Sequence, residues 1–210
     1  GNNLQDWLHN YIFPVEARWD DRAVRACTAL GLAEMIASGV TSIADMYMRT
    51  DIIAQEVASA GISANLSVGG VLFGEGFDPD TNHDCVAQRE LTEKWHNYND
   101  GQIRVDASIH GEYTSRAELW QWMADYAREH QLGMHVHISE TKAEHEACIA
   151  RHGKTPIQIL NDYGVWDTRA IAAHCVWTTP EDWAIMAEKG ISAIHNPISN
   201  LKLGSGIAPV

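Results

Sequence analysis

Residues 134–141, MHVHISET, place two imidazoles and a carboxylate in one short stretch: His135, His137 and Glu140. Imidazoles two apart on a strand point to the same side, leaving Met134, Val136 and Ile138 on the other. Such a stretch is either a polar detail of the core or part of a metal site with its acid/base residue attached. Other strand-like runs end in the same way, at His110, at His174 and at His195-Asn196, with Asp45 near the end of an earlier one. A single strand histidine is more often a hydrogen-bonded core residue than a ligand. Four successive strands ending in histidine point instead to one shared site. Glu140 is favoured ahead of a helix by the helix dipole whatever its function, and Asp45 reads as a structural hydrogen-bond acceptor.

The elements that position these residues follow a repeating grammar. Helical stretches end in glycine and run into short β-branched strands, as in ASGVTSIADMY, ASAGISANLSVGG, HQLGMHVHIS and AEKGISAIHN. Gly39, Gly61, Gly133 and Gly190 suit the left-handed position just past a helix end. Thr141-x-x-Glu144 and Ser115-x-x-Glu118 read as capping boxes, and Thr179-Pro180 sets proline at a first helical position. Six strands are expected at about 40–46, 62–69, 103–110, 133–139, 170–174 and 191–195, with helices at about 22–37, 50–60, 83–97, 115–131, 142–151 and 180–189. Alternation of this kind builds a parallel α/β sheet, either doubly wound or closed as a (β/α)8 TIM-type barrel. Polar residues gathered at strand ends favour the barrel, whose active sites sit at that mouth.

Composition narrows the function classes. The 210 residues fit one large domain, and 45% hydrophobic content suffices for its core. A net charge of −13 and a pI near 5.1 oppose nucleic acid or an anionic membrane as partner. No eighteen-residue apolar run is present, and GNNLQDWLHN lacks the basic-then-apolar order of a signal peptide. Cys27, Cys85, Cys148 and Cys175 form no C-x-x-C pair, which fits reduced thiols in a cytoplasmic protein. GGVLFGEG (69–76) reads as a loop and matches no phosphate-binding fingerprint. Trp7 and Trp177 are candidates to line a pocket for a flat ligand. His83, His96, His145 and His152 are expected on solvated surface.

The segments MHVHISETKAEHEAC, IAAHCVWTTPEDW and SAIHNPISNLKLGSGIAPV resemble the amidohydrolase superfamily, and within it the 5-methylthioadenosine/S-adenosylhomocysteine deaminase and chlorohydrolase-like branch. LQDWLHNYIFPVEARW and GVTSIADMY agree, so the resemblance runs over essentially the whole chain. It implies a metal-dependent aminohydrolase that releases ammonia from an aminated heterocycle or nucleoside. By the same resemblance His137 is a metal ligand, Glu140 the general acid/base, and His174 the histidine that orients the attacking hydroxide. Glu16 and His110 are implied to contact substrate. One divalent metal is implied, zinc first, with iron or manganese compatible with the ligand types. A homo-oligomer acting on a small molecule is also implied.

Two departures from the family pattern stand out. The H-x-H pair of a first barrel strand and the aspartate of an eighth have no counterpart here, so the six strands correspond to barrel strands two to seven. Residues 1–210 are therefore expected to be an incomplete hydrolase barrel domain, inactive in isolation, with the remaining ligands elsewhere in a longer polypeptide. The second departure is that SANLSVGGVLFGEGFDPDTNHDC contains no lysine or arginine. A substrate lacking a carboxylate, such as methylthioadenosine or adenosine, is favoured over S-adenosylhomocysteine. Dechlorination, cyclic amide hydrolysis and a barrel that has lost its metal are the competing readings.

Overall fold

In the computed structural model, which describes residues 4–209, the chain opens in short helical pieces: α1 (Leu4–Trp7), a π-turn (Leu8–Ile12) and α2 (Phe13–Glu16). Asp20 then starts α3 (Asp21–Ala37) by accepting the Ala23 N–H, one of the donors a helix start leaves free. From there strands and helices alternate. β1 (Ser42–Met46), α4 (Thr50–Ala60), β2 (Ser63–Ser67), α5 (His83–Trp95), the short turn α6 (Tyr98–Gly101), β3 (Ile103–Val105) and β4 (Ala107–Ser108) come first. α7 (Ala117–Glu129), β5 (Met134–Ile138), α8 (Lys142–His152), α9 (Pro156–Asp162), β6 (Ala170–His174), α10 (Pro180–Lys189), β7 (Ser192–Ile194) and α11 (Pro197–Leu203) complete it.

Every strand pair is parallel, and strand order follows chain order, β1-β2-β3 and then β4-β5-β6-β7. A doubly wound sheet reverses its order at a switch point. No reversal occurs among the described strands, which leaves the barrel-type winding. The two sheets are one arc, because β3 and β4 are halves of a single strand interrupted at Asp106. Across the break, the Asp106 N–H donates to the Leu66 carbonyl at 3.0 Å and Gly70 pairs with Ile109. The six expected strands are therefore all present.

The interruption has a chemical reason. Asp106 is fully buried and accepts the Gly133 N–H (3.0 Å), the Asn65 side-chain amide (2.5 Å) and the Arg169 guanidinium. A buried carboxylate needs such partners, and meeting them bends the strand. Gly133 is glycine on the same account. Gly39, Gly61 and Gly190 do hold positive φ past their helices, but after α7 it is Gln131 that does so (φ 57). At Gly133 an added Cβ would lie 2.6 Å from the Asp106 carboxylate and 2.8 Å from the Arg169 carbonyl. Gly133→Ala is expected to destabilise the protein by about 1–3 kcal/mol. An unchanged denaturation midpoint would mean this packing has slack that the distances deny.

Helix-side residues form two apolar cores. Leu66, Ile103 and Val105 pack on α4 and α5 in one, while Met134, Val136, Ile138 and Ala172 pack under α7 and α9 in the other. Three local expectations fail. The Ser115 box does not form: α7 starts at Ala117 after an Arg116 cap, and Ser115 Oγ is spent on the Gly111 carbonyl. α9 was hidden by its brevity, although Thr155-Pro156-x-Gln158 is a full capping box with proline at the start. Of the four histidines placed on the surface, His83 and His152 are exposed, while His145 is buried and His96 half-buried. His145 is buried against Ser139, His96 accepts the Val105 N–H, and His152 bonds Glu112.

Candidate active site

β5 is the centre of the site. One side, Met134, Val136 and Ile138, belongs to the helix-side core, so alternation turns His135 and His137 to the concave side. His135 lies one layer deeper, its Nδ1 3.3 Å from Ser67 Oγ, and burial pushes it down to about 4. His137 is held well below the ordinary imidazole value, first by burial and then by the neighbouring histidines. It is neutral, and its buried Nδ1 has no hydrogen-bond partner among the described residues.

His174 reaches the same place by a different route. Its register partner is Ile138, a core-side residue, so regular alternation would send His174 to the helix side as well. The backbone leaves the extended region at His174 (φ 74) and Cys175 (φ 50). The His174 ring then stands 5.2 Å from that of His137, centroid to centroid. Left-handed φ at a non-glycine residue costs about 1–3 kcal/mol and collects at functional sites. Ser139, directly after β5, carries the same feature (φ 47) and turns the chain so that Glu140 faces His174. Glu140 Oε2 lies 3.6 Å from His174 Nε2, with both side chains nearly excluded from solvent. Burial raises the Glu140 carboxyl and the adjacent His174 partly opposes that rise.

The Glu140 backbone is fixed by the capping box of α8. Glu144 Oε1 accepts the Ser139 N–H (2.9 Å) and Oε2 accepts those of Glu140 (3.0 Å) and Thr141 (3.4 Å). Thr141 Oγ1 in turn accepts the Glu144 N–H. His110 completes the cluster from the end of the third strand, its ring 5.1 Å from His137. Its Nδ1 is 3.0 Å from Thr114 Oγ1, and the turn beyond it is tied down by buried Glu112, which bonds Arg151 (2.5 Å) and His152 (2.9 Å) on α8.

The structure thus brings together His110, His137, Glu140 and His174. Glu16 is not among them: its partner is Tyr47, just past the C-terminal end of β1, whose hydroxyl donates to it at 2.5 Å. Asp45 shares its face with core residue Leu66, in register, and burial there pushes it up to about 6. Trp177 donates its Nε1–H to the Ser205 carbonyl and is partly exposed, and Trp7 lies under Lys202. His195 lines a cavity of about 60 Å³ with His174, Cys175 and Met186. That space has room for a few waters and none for a nucleoside. Thr114, Glu144 and Asn200 were invisible as site residues, because nothing local signals which strand end they will meet.

Neutral His137, with an unpaired buried nitrogen, fits one corner of a metal site. No group of three His, Cys, Asp or Glu among the described residues is arranged to hold a metal, and catalytic sites use about three protein ligands.

A parallel strand-helix arc with its titratable groups at the C-terminal strand ends is part of a (β/α) barrel with a candidate active site at that mouth. The chain belongs to the amidohydrolase family, whose model matches residues 2–210. It is 39% identical to a 5-methylthioadenosine/S-adenosylhomocysteine deaminase from Thermoanaerobacter pseudethanolicus over 208 residues, 99% of this chain and 48% of that one. A 5'-deoxyadenosine deaminase from Methanosphaera stadtmanae is 38% identical, again over 99% of this chain and 48% of its own. Among solved structures, a zinc-bound adenosine deaminase from Xanthomonas campestris superposes with a TM-score of 0.90 at 28% identity, over 100% of this chain and 47% of that one. The chain spans about half the length of the curated relatives it matches. Among the described residues no helix is long and apolar enough to cross a membrane.

Proposed function

We propose that the protein containing these residues is a metal-dependent aminohydrolase acting on a purine-like nucleoside, with Glu140 as its acid/base. The observation that carries this reading is the buried Glu140 carboxyl, raised by desolvation and 3.6 Å from His174 Nε2, beside a neutral histidine with a free ring nitrogen. His137 would hold the metal through that nitrogen, with further ligands from outside residues 1–210. Zinc is the favoured ion, since the superposing adenosine deaminase binds it. When bound, the metal supplies a water acidified toward neutral pH. Glu140 would take one proton from the attacking water and give it to a ring nitrogen, then take the remaining hydroxyl proton and give it to the amino group, which leaves as ammonia while the carbonyl forms. His174 faces the reacting oxygen and Glu140 together. His110 and Glu16, at the same end of the sheet, contact the substrate. The full-length polypeptide, metal-loaded, is expected to release ammonia from a panel of adenosine derivatives. Chloride release, or ring-amide cleavage without ammonia, would assign the other amidohydrolase chemistries instead.

The substrate end carries its own expectation. The segment after β2 holds Glu75, Asp78, Asp80 and Asp84 and no lysine or arginine. Two cations do reach it: Arg116, beside the start of α7, donates to the Gly74 carbonyl and to that of Gly76 (3.1 Å), and Arg89 on α5 donates to the Pro79 carbonyl (2.7 Å) with Asp80 3.5 Å away. Those donors hold the loop, and of the four carboxylates they pair only Asp80, so the field of Glu75, Asp78 and Asp84 stays acidic. Like charges brought together lower affinity, so kcat/KM for methylthioadenosine is expected to exceed that for S-adenosylhomocysteine by at least about twofold. The reverse order would show that a cation outside this segment receives the carboxylate. Cytoplasmic residence and a homo-oligomeric state belong to the same reading.

A further inference from the structure

Asn200, on α11, is fully buried and lies 26 residues along the chain from the histidine it meets. Its Oδ1 is 2.9 Å from His174 Nδ1. The residue's backbone is fixed, while its side-chain Nδ2 has no hydrogen-bond partner among the described residues. The Asn200 N–H donates to the Asn196 carbonyl at 2.9 Å, and its own carbonyl accepts the Ser205 N–H at 2.8 Å. α11 starts with Pro197 and stops at Gly204 in left-handed geometry, so both ends of this short helix are set. A carbonyl oxygen only accepts. With Oδ1 turned to the ring as here, Nδ1 is the nitrogen that carries hydrogen, and Nε2 is the one that looks toward Glu140 at 3.6 Å.

We infer that Asn200 is the positioning residue of His174: its Oδ1 holds a proton permanently on Nδ1, so that Nε2 alone exchanges protons with the reacting groups. The strained backbone at His174 supports the need for such a brace. A ring swung inward by a left-handed residue has lost the strand's own alternation as its guide, and a hydrogen bond from behind restores a single orientation. Asn200 touches neither substrate nor metal in this role. It acts through the imidazole, as partners on the far nitrogen of catalytic histidines do generally.

The catalytic consequence rests on the aminohydrolase reading, while the tautomer does not, and the two separate by experiment. Two-bond proton–nitrogen correlation spectra of the full-length protein, labelled with nitrogen-15 histidine, report the tautomer of each ring. The His174 signals are assigned by their loss in H174Q. The expected wild-type result is hydrogen on Nδ1 and a bare Nε2 in the neutral ring. Asn200→Leu should abolish that preference, and Asn200→Asp, which keeps the acceptor, should restore it. Under the aminohydrolase reading N200L also loses at least about 10-fold in kcat with KM little changed, and N200D recovers it. Hydrogen on Nε2 in the wild type overturns the proposal without any variant having to fold. So does a His174 tautomer that N200L leaves untouched. The expected tautomers with no ammonia release from any substrate would leave Asn200 bracing His174 and remove the aminohydrolase reading instead.

Discussion

Glutamine in place of Glu140 is expected to lower kcat of the metal-loaded protein by about 10²–10⁴-fold, the usual contribution of a positioned acid/base. KM should stay close to its wild-type value, because glutamine keeps the shape and loses only the transferable proton. Stability should move the other way. In the metal-free protein burial raises the Glu140 carboxyl above its ordinary value, with His174 partly opposing. A carboxyl raised on folding binds its proton more tightly in the native state. Its cost is absent below the unfolded carboxylate range near about pH 4 and grows as pH climbs through the raised folded value. Glutamine does not titrate and escapes that cost. The melting temperature of E140Q relative to wild type should therefore improve between acid and neutral pH. An equally active variant would remove Glu140 from the reaction, and a loss all in KM would make it a binding residue.

The opposite signs identify what kind of residue Glu140 is. A side chain kept for packing loses stability when changed. One kept for chemistry is a burden to the fold, and its removal relieves the strain. The same reasoning applies to His174, where φ of 74 is a cost the strand would not otherwise bear.

Much of this was legible in the sequence, and the legible part has a common cause. The six strands and most long helices are announced by local chemistry: glycine after helices, Thr141-x-x-Glu144, Thr179-Pro180, and alternation in MHVHI. So is the gathering of strand-end histidines, once a parallel arc is granted. What could not be read depends on partners distant in the chain. The break at Asp106 follows from Asn65, Gly133 and Arg169 arriving together. Burial of His145 against Ser139 and the bond from exposed His152 to Glu112 follow from groups 6 and 40 residues away. The inward turn of His174 contradicts its register and is produced by backbone geometry alone, while the bond that braces it comes from α11. Gly133 was recognised as necessary for the wrong reason: space, not φ, is what excludes a side chain.

His137→Leu should separate metal binding from packing most cleanly. Leucine is apolar and close in bulk, and the nitrogen it removes is buried with no hydrogen-bond partner among the described residues. In metal-free protein the exchange should cost less than about 1.5 kcal/mol, and relief of an unpaired polar atom can make it neutral or favourable. Metal changes the comparison. A ligand bound only to the native state stabilises it by about 2.7 kcal/mol at a hundredfold excess over Kd. The wild-type full-length protein should melt higher as zinc is titrated in, whereas H137L should show little of that rise and retain little metal after dialysis. With the ligand gone, ammonia release should fall to background. If H137L binds zinc as tightly as wild type and gains the same stability, the metal is held without β5. His137 is then a packed histidine like His135 beneath it, and the acid/base assignment of Glu140 loses the neighbour that gives it something to do.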